Sequence, residues 1–247
     1  DGTTIHNYDS GIINIERTPD ATFPSLIASA FTNEGIINLE GKLGASAFTN
    51  KGILNIEGNG WIYNTGTIIN DYGAIINNEG SLRSQGTINN KGTINNEGEL
   101  ENVYSGTINN EGTINSDGDI INKGNAIINN YQSGTINNDG TLTNHEGTNS
   151  NGYQEGTINN DGTITNNNML INRGTLENND FIFNDGTINN EGTINNNQLL
   201  NNDGTLTNKE GTNTGNGYQE GTLNNDGTIT NNNMLINRGT LENNDFI

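Results

Sequence analysis

Carboxylate side chains recur at a regular spacing along the chain and are the first candidates for chemistry. Ca²⁺ takes roughly six to eight oxygen ligands from carboxylates, carbonyls and water. Stacked carboxylates therefore predict a calcium site, with Glu79–Glu97 and Asp185–Asp203 as the pairs expected to share a cation. The alternative is a solvated acidic edge that favours solubility. The carboxylates expected to form one column are Glu79, Glu97, Asp117, Asp139, Asp185 and Asp203.

The sequence gives little support for a catalytic site. His6 and His145 are the only histidines and stand in unrelated contexts, and there is no Cys. The glycine-rich stretches match no phosphate-binding loop. A glycosidase needs two carboxyl groups in one cleft, whereas these recur along the whole chain. The sequence therefore predicts a protein that is not an enzyme and requires no cofactor, with Ca²⁺ as the one candidate ion.

Four tyrosines stand in insertions that interrupt the regular spacing. The insertion EGTNSNGYQE at 146–155 returns as EGTNTGNGYQE at 210–220. Loops on a rigid scaffold commonly carry binding, and Tyr is enriched at interfaces. These side chains are thus candidates for binding a partner or glycan, or for lateral contact. The alternative is that each ring folds back over its own backbone. The four residues are Tyr104, Tyr131, Tyr153 and Tyr218.

The elements that must position these groups follow from a six-residue repeat. From Ile158 to Leu206, Ile or Leu stands at every sixth residue and Asn two residues later. A period of six is unsuited to an α-helix but fits short strands joined by corners, with Ile and this Asn facing inward. Stacked amides of this kind add stability, so the sequence predicts a structural ladder. Its members include Asn160, Asn166, Asn172, Asn178, Asn184, Asn190, Asn196, Asn202 and Asn208.

Three strands per coil explain the longer repeats. Residues 139–182 recur at 203–247, and the long insertion returns after nine steps, which fits three faces but not four. Folding by three also sorts the residues that follow the ladder Asn into columns, one of which holds Lys123, His145, Arg173, Glu191, Lys209 and Arg238. We therefore predict an all-β, three-sided parallel β-helix (β-solenoid) with hexapeptide faces and about 18 residues per coil. The predicted divisions are a cap or docking segment at 1–27, irregular coils at 28–60 and regular coils at 61–247.

Composition narrows the class of protein further. The 247 residues include 29 acidic and 9 basic side chains, a net charge of −20, and only 29% are hydrophobic. Such a balance argues against nucleic-acid binding, which needs clustered Lys and Arg. No apolar run is long enough to predict a membrane-spanning helix. Low hydrophobicity with high charge commonly indicates disorder, but the strict periodicity indicates an ordered repeat instead.

The run G-T-I-N-N-E at 186–191 and its relatives across about 60–247 resemble the β-solenoid repeats of prokaryotic surface proteins, such as filamentous-haemagglutinin-like and autotransporter-passenger-like adhesins. The resemblance implies an extracellular or cell-surface location. It favours a structural subunit that assembles end to end with itself into a fibre. One alternative is an adhesin stalk that binds a partner or glycan through the Tyr-bearing loops. Another is a Ca²⁺- or ice-binding surface, although Met169 and Phe181 interrupt the Thr array that ice binding needs.

Overall fold

The computed structural model describes residues 3–16, 25–149, 152–209, 212–214, 217–219 and 221–244, and these contain 35 strands and no helix. The first strands are β1 (Thr4–Asn7), β2 (Ile12–Ile15), β3 (Ser25–Asn33), β4 (Ile36–Leu39), β5 (Lys42–Asn50) and β6 (Ile53–Ile56). The next are β7 (Trp61–Asn64), β8 (Thr67–Asn70), β9 (Ile75–Asn78), β10 (Ser81–Ser84), β11 (Thr87–Asn90), β12 (Thr93–Asn96), β13 (Glu99–Tyr104), β14 (Thr107–Asn110), β15 (Thr113–Ser116), β16 (Asp119–Gly124), β17 (Ile127–Asn130) and β18 (Thr135–Asn138). The last are β19 (Thr141–Asn149), β20 (Gly152–Glu155), β21 (Thr157–Asn160), β22 (Thr163–Asn166), β23 (Met169–Asn172), β24 (Thr175–Asn178), β25 (Phe181–Asn184), β26 (Thr187–Asn190), β27 (Thr193–Asn196), β28 (Leu199–Asn202), β29 (Thr205–Asn208), β30 (Thr212–Thr214), β31 (Gly217–Gln219), β32 (Thr222–Asn225), β33 (Thr228–Asn231), β34 (Met234–Asn237) and β35 (Thr240–Asn243).

Three consecutive strands make one coil. β7, β8 and β9 pair in parallel with β10, β11 and β12, and these pair in turn with β13, β14 and β15. We call the face that holds β7 face 1, the face that holds β8 face 2 and the face that holds β9 face 3. Face 3 is an 11-stranded sheet, and the strands of faces 1 and 2 belong to one 22-stranded sheet. The predicted three-sided β-solenoid is confirmed.

The number of residues in a coil depends on the length of its corners. Where every corner is short, β21 pairs with β24, and Asn160 lies 18 residues before its partner Asn178. Where two extra residues enlarge one corner, β11 pairs with β14, and Asn90 lies 20 residues before Asn110. Over about 10 turns the mean is about 20 residues per turn. The predicted spacing therefore holds for coils without insertions.

The sequence T-I-N-N-E-G shows why each face forms. In β26, Ile188 and Asn190 are buried while Thr187 is half-buried, as the alternation along a strand requires. The following corner ends on Gly192, where an added Cβ would lie 2.2 Å from the carbonyl oxygen of Gly174 in the preceding coil. At this corner glycine is thus required for successive coils to stack this closely.

The coils at 25–60, which we call the rounded coils, depart from this plan. β3 and β5 are each nine residues long and run across faces 1 and 2 without a break. Phe31 pairs with Phe48, and Asn33 bonds to Asn50 across the same turn, so one rounded coil takes 17 residues. β5 then pairs with both β7 and β8, which joins the rounded coils directly to the regular ones. The irregular region predicted at 28–60 coincides with this feature.

The segment predicted as a cap or docking segment, 1–27, contains the two described strands β1 and β2. β1 and β2 pair in parallel with β3 and β4, with Thr4 opposite Ala30 and Ile12 opposite Ile36. These strands therefore form part of a solenoid coil, because their apolar side chains enter the same core. The prolines at 19 and 24 lie outside the described residues.

The core is one continuous column of Ile, Leu and Phe side chains that follows the axis from coil to coil. Within the part of the chain that the structure describes, no helix is long or apolar enough to cross a membrane. The thin apolar column leaves the fourth position of most short strands to be filled by another kind of side chain, the ladder asparagine.

Candidate functional site

The predicted Asn ladder is present inside the solenoid. Asn190 shows its geometry: its Nδ2 donates to Oδ1 of Asn208 at 2.8 Å and to the carbonyl oxygen of Thr222 at 2.8 Å. Its own Oδ1 accepts from Nδ2 of Asn172 at 2.8 Å. Burial of an amide is tolerated because these partners satisfy it. All nine predicted members, Asn160, Asn166, Asn172, Asn178, Asn184, Asn190, Asn196, Asn202 and Asn208, are at most 1% exposed.

On face 2 the ladder is unbroken over every described coil. Each amide donates to the next along the series Asn7, Asn33, Asn50, Asn70, Asn90, Asn110, Asn130, Asn160, Asn178, Asn196, Asn225 and Asn243. Faces 1 and 3 contain interruptions instead. Ser84 and Ser116 replace ladder asparagines, and the next amides, Asn102 and Asn138, each keep a buried Oδ1 without a hydrogen-bond partner.

A second, outward-facing Asn ladder was not foreseen from the sequence. On face 3, Asn38 Nδ2 donates to Asn14 Oδ1 at 2.8 Å, and Asn55 Nδ2 donates to Asn38 Oδ1 at 2.8 Å. These donors point toward the N-terminus, whereas those of the inner ladder point toward the C-terminus. The series continues through Asn77, Asn95, Asn115 and Asn137. The sequence feature that could have revealed this ladder is the Asn at the third residue of each of these four-residue strands.

The predicted acidic column lies at the corner between face 3 and face 1. Its members follow strands paired in register, so they stack as expected: Glu79, Glu97, Asp117, Asp139, Asp185 and Asp203. The first three line a surface groove of about 660 Å³ beside the outer Asn ladder. Asp139 and Asp203 accept hydrogen bonds from Asn167 and Asn232 of the next coil, at 2.7 and 2.6 Å. These amides dilute the negative charge along the column.

Among the described residues, no group of three or more acidic or His side chains converges in an arrangement that could hold a metal ion. The column instead places at most one carboxylate in each coil, with Asn167 and Asn232 at this position in two of them. Calcium binding by Glu79–Glu97 or Asp185–Asp203 stays a prediction.

At the corner between face 1 and face 2, charges of opposite sign alternate. Arg173 Nε lies 2.8 Å from Glu191 Oε2, and the Lys209 ammonium group pairs with the other carboxylate oxygen. Burial raises the pKa of Glu191, but hydrogen bonds from Lys209 and Arg173 outweigh it and leave the pKa below its ordinary value of 4.5. Near the N-terminus, hydrogen bonds from His6 and then Lys51 lower the pKa of Glu34.

The long insertions form hairpins at the corner between face 1 and face 2. β19 extends past its coil and pairs antiparallel with β20, which places Tyr153 opposite Thr148. β30 and β31 form a second hairpin after β29, with Tyr218 opposite Asn213. The two hairpins leave the solenoid three coils apart, as the sequence predicts. The side chains of both tyrosines lie outside the described part of the structure.

The two tyrosines of the short insertions differ from each other. Tyr104 is 50% exposed and has a positive φ of 59°. Tyr131 is 39% exposed, and its hydroxyl donates to Asn109 Oδ1 at 3.2 Å in the preceding coil. Tyr131 thus folds back over the solenoid, in line with the alternative interpretation. Partner or glycan binding by the four tyrosines stays a prediction.

Comparison with known proteins gives one family and one solved structure. The family model for the BigA fourth domain matches residues 44–182. A crystal structure of a fragment of TibA, hyper-glycosylated by TibC, is 16% identical with a TM-score of 0.26, and the alignment covers 98% of this chain and 97% of that one. No curated protein matches the chain.

Proposed function

This chain belongs to the BigA fourth-domain family, whose model covers more than half of it, and from that premise we propose that it is a rod-shaped segment of an adhesin on a bacterial cell surface. The membership supports the coarser of the sequence-based interpretations, an adhesin-like bacterial β-solenoid. It does not support the filamentous-haemagglutinin-like or autotransporter-passenger-like families in particular. The proposed role is structural and adhesive, without catalysis.

The observation that carries this proposal is the unbroken ladder of face 2. Twelve amides in successive coils hold one register from Asn7 to Asn243. With about 4.8 Å between paired strands, the 11 strands of face 3 span roughly 50 Å. A continuous hydrogen-bonded column in a one-dimensional repeat favours a stiff spacer over a flexible tether.

The two hairpins are the proposed adhesive elements. Their bases are fixed by β19 and β29, which belong to the same stack of face 1, so the hairpins project from one corner. Three coils separate them by roughly 15 Å. Two similar loops at a fixed separation can engage one partner together, which raises the apparent affinity without new contacts.

Adhesion by beads coated with the chain tests this proposal. The variant replaces both insertions with the two-residue corner found elsewhere, and a matched control removes only the short insertion around Tyr131. We expect coated beads to attach to a cultured epithelial cell layer, the control to attach equally well, and the hairpin variant to lose most attachment. Attachment no better than that of albumin-coated beads, or full attachment by the hairpin variant, would refute the role.

End-to-end assembly into a fibre is the second candidate function. The face-2 ladder favours it, because a second copy stacked in register would extend the same column of amides. Negative-stain electron microscopy separates the two candidates. Separate short rods, each as long as one stack of coils, support the adhesin segment alone, and filaments of constant width many times longer support the fibre.

A further inference from the structure

Face 1 carries an aromatic pair that the repeat does not explain. Trp61 and Tyr63 occupy the two outward positions of β7, where most coils carry Thr, Asn or a charged residue, and both are half-buried. Their ring centres lie 6.0 Å apart with an angle of 42° between the planes. Adjacent outward rings on a flat sheet form an apolar platform with polar edges.

A slot adjoins this platform. Ile27 pairs with Gly44, and Leu43 pairs with Ile62, so Gly44 stands between Ile27 and Tyr63 in the outward column. A Cβ added at Gly44 would meet only Cγ1 of Ile27, at 4.0 Å. The missing side chain opens one layer about 4.8 Å thick. Ile27, on the far wall, is 68% exposed.

A basic side chain lies against each of the two rings, Arg83 against Tyr63 and Lys42 against Trp61. The Arg83 guanidinium lies 6.0 Å from the centre of the Tyr63 ring, and Arg83 Nε lies 3.1 Å from Glu101 Oε2. Glu101 is only 4% exposed and also pairs with Lys123. This network neutralises Arg83 and fixes the Tyr63 side of the platform. On the other side, the Lys42 ammonium lies 4.6 Å from the centre of the Trp61 ring.

We propose that Lys42, Gly44, Trp61 and Tyr63 form a binding site for an acidic sugar residue, a pyranose that bears a carboxylate. The ring occupies the layer above Gly44, with its C–H groups against Tyr63 and Ile27. The carboxylate meets the ammonium group of Lys42. This site is separate from the hairpins and goes beyond the proposed adhesive role. Binding of the sugar here does not require the hairpins to bind their partner.

The shape and polarity of the site favour this occupant. The slot is open and one side chain thick, which suits a single saturated ring better than a helix or a folded partner. Its walls are apolar while its edge carries a charged donor, and a sugar acid has the same division between C–H faces and polar substituents. The chain has only 9 basic residues against 29 acidic ones, so a cation held over the only Trp is a specific feature of this surface.

Trp61 allows a direct test, since it is the single Trp of the chain and its emission reports on this site alone. The full chain is titrated with methyl glucuronide and, in parallel, with methyl glucoside, which differs by the carboxylate. We expect a saturable change of emission with the glucuronide and affinity lower by about tenfold for the glucoside, as loss of one charge-assisted contact implies.

Two variants and a control complete the test. Gly44→Leu fills the slot, where the structure has space for it, and is expected to abolish saturable binding at unchanged thermal stability. Lys42→Met keeps the stem over Trp61 and is expected to bind both sugars with equal, weak affinity. Thr207→Leu, an outward change on the same face several coils away, should bind as the unmodified chain does.

The proposal is overturned if neither sugar produces a saturable change in the unmodified chain. Equal affinity of the unmodified chain for the two sugars overturns it as well, and so does unaltered glucuronide binding by Gly44→Leu. Bead attachment in the adhesion assay depends on the hairpins, so the two proposals can fail independently.

Discussion

The rounded coils and the regular coils fill the same cross-section with different chemistry. On face 3 the last inward position of each strand is Ile15, Leu39 and Ile56 in the first coils, and from Asn78 onward it is an amide in every strand except the one that ends at Ser116. The first coils thus have a largely apolar filling on this face, and the later coils combine one aliphatic column with an amide ladder. A parallel solenoid backbone accepts either filling.

The junction between these fillings shows what each requires. Asn78 donates to Asn96, but its Oδ1 has no hydrogen-bond partner, because Ile56 lies directly before it. An apolar column can end at any coil, whereas the amide that starts a ladder needs another donor for its Oδ1, as Asn64 on face 1 finds in the backbone N–H of Gly66 at 3.1 Å. Face 2 avoids this defect because Asn33 and Asn50 continue its ladder through the rounded coils.

The largest effect is expected from Phe48→Ala in the rounded coils. Phe48 is 3% exposed and meets Phe31 edge to face, with ring centres 5.4 Å apart. Removing the ring leaves a cavity and should lower the free energy of unfolding by about 3–5 kcal/mol. Urea denaturation measures it, with Phe48→Leu as the milder control. A loss below about 1 kcal/mol would show that this region does not depend on its aromatic filling.

A smaller loss, about 2–3 kcal/mol, is expected from Asn190→Ala in the regular coils. The change removes a buried donor and leaves Oδ1 of Asn208 without its partner. Thr187→Ala, outward on the same strand, should change the free energy of unfolding by less than about 0.5 kcal/mol. Equal melting temperatures for the two variants would remove the distinction between amide and apolar filling.

A gain of about 1 kcal/mol is expected from Ser116→Asn, which repairs an interruption of the face-3 ladder. The new amide would donate to the unpartnered Oδ1 of Asn138. Thr113→Asn, outward on the same strand, is the matched control and should leave the melting temperature unchanged. A melting temperature no higher than that of the parent would mean that ladder continuity adds no stability.

The smallest effect on stability is expected at the corner between face 1 and face 2, and it appears when the pH is lowered. Because the pKa of Glu191 is lowered in the folded chain, its ionised form stabilises the fold above the ordinary value of 4.5. That contribution is lost as the pH falls through the lowered folded value. Glu191→Gln should therefore lose less melting temperature than the parent between neutral pH and about pH 3. Parallel losses would show that this ion pair has no role in acid stability.

The regular coils could be predicted closely from the sequence because a constant period fixes which residues stack. Leu142 and Leu206 take the same place in the coil, and the insertions after them leave the same corner. The slot beside Trp61 could not be found in this way. Its neighbours come from coils of unequal length, and Lys42 meets Trp61 only through a register that no repeat specifies.

The outer ladder was missed for a different reason. Alternation along a strand indicates that Asn38 and Asn55 face outward, but it does not say that side chains half-exposed to water will bond to each other. That outcome depends on the close stacking of the strands, which places one amide within 2.8 Å of the next.

The opposed directions of the two ladders bear on how long such a rod can grow. A row of aligned amides carries a dipole that increases with every coil and accumulates partial charge at the ends, as in a helix. In this solenoid the inner amides point one way and the outer amides the other, so their polarisation partly cancels. Where the outer ladder is present, from Asn14 to Asn137, each coil therefore adds less axial polarisation than its inner amides alone would.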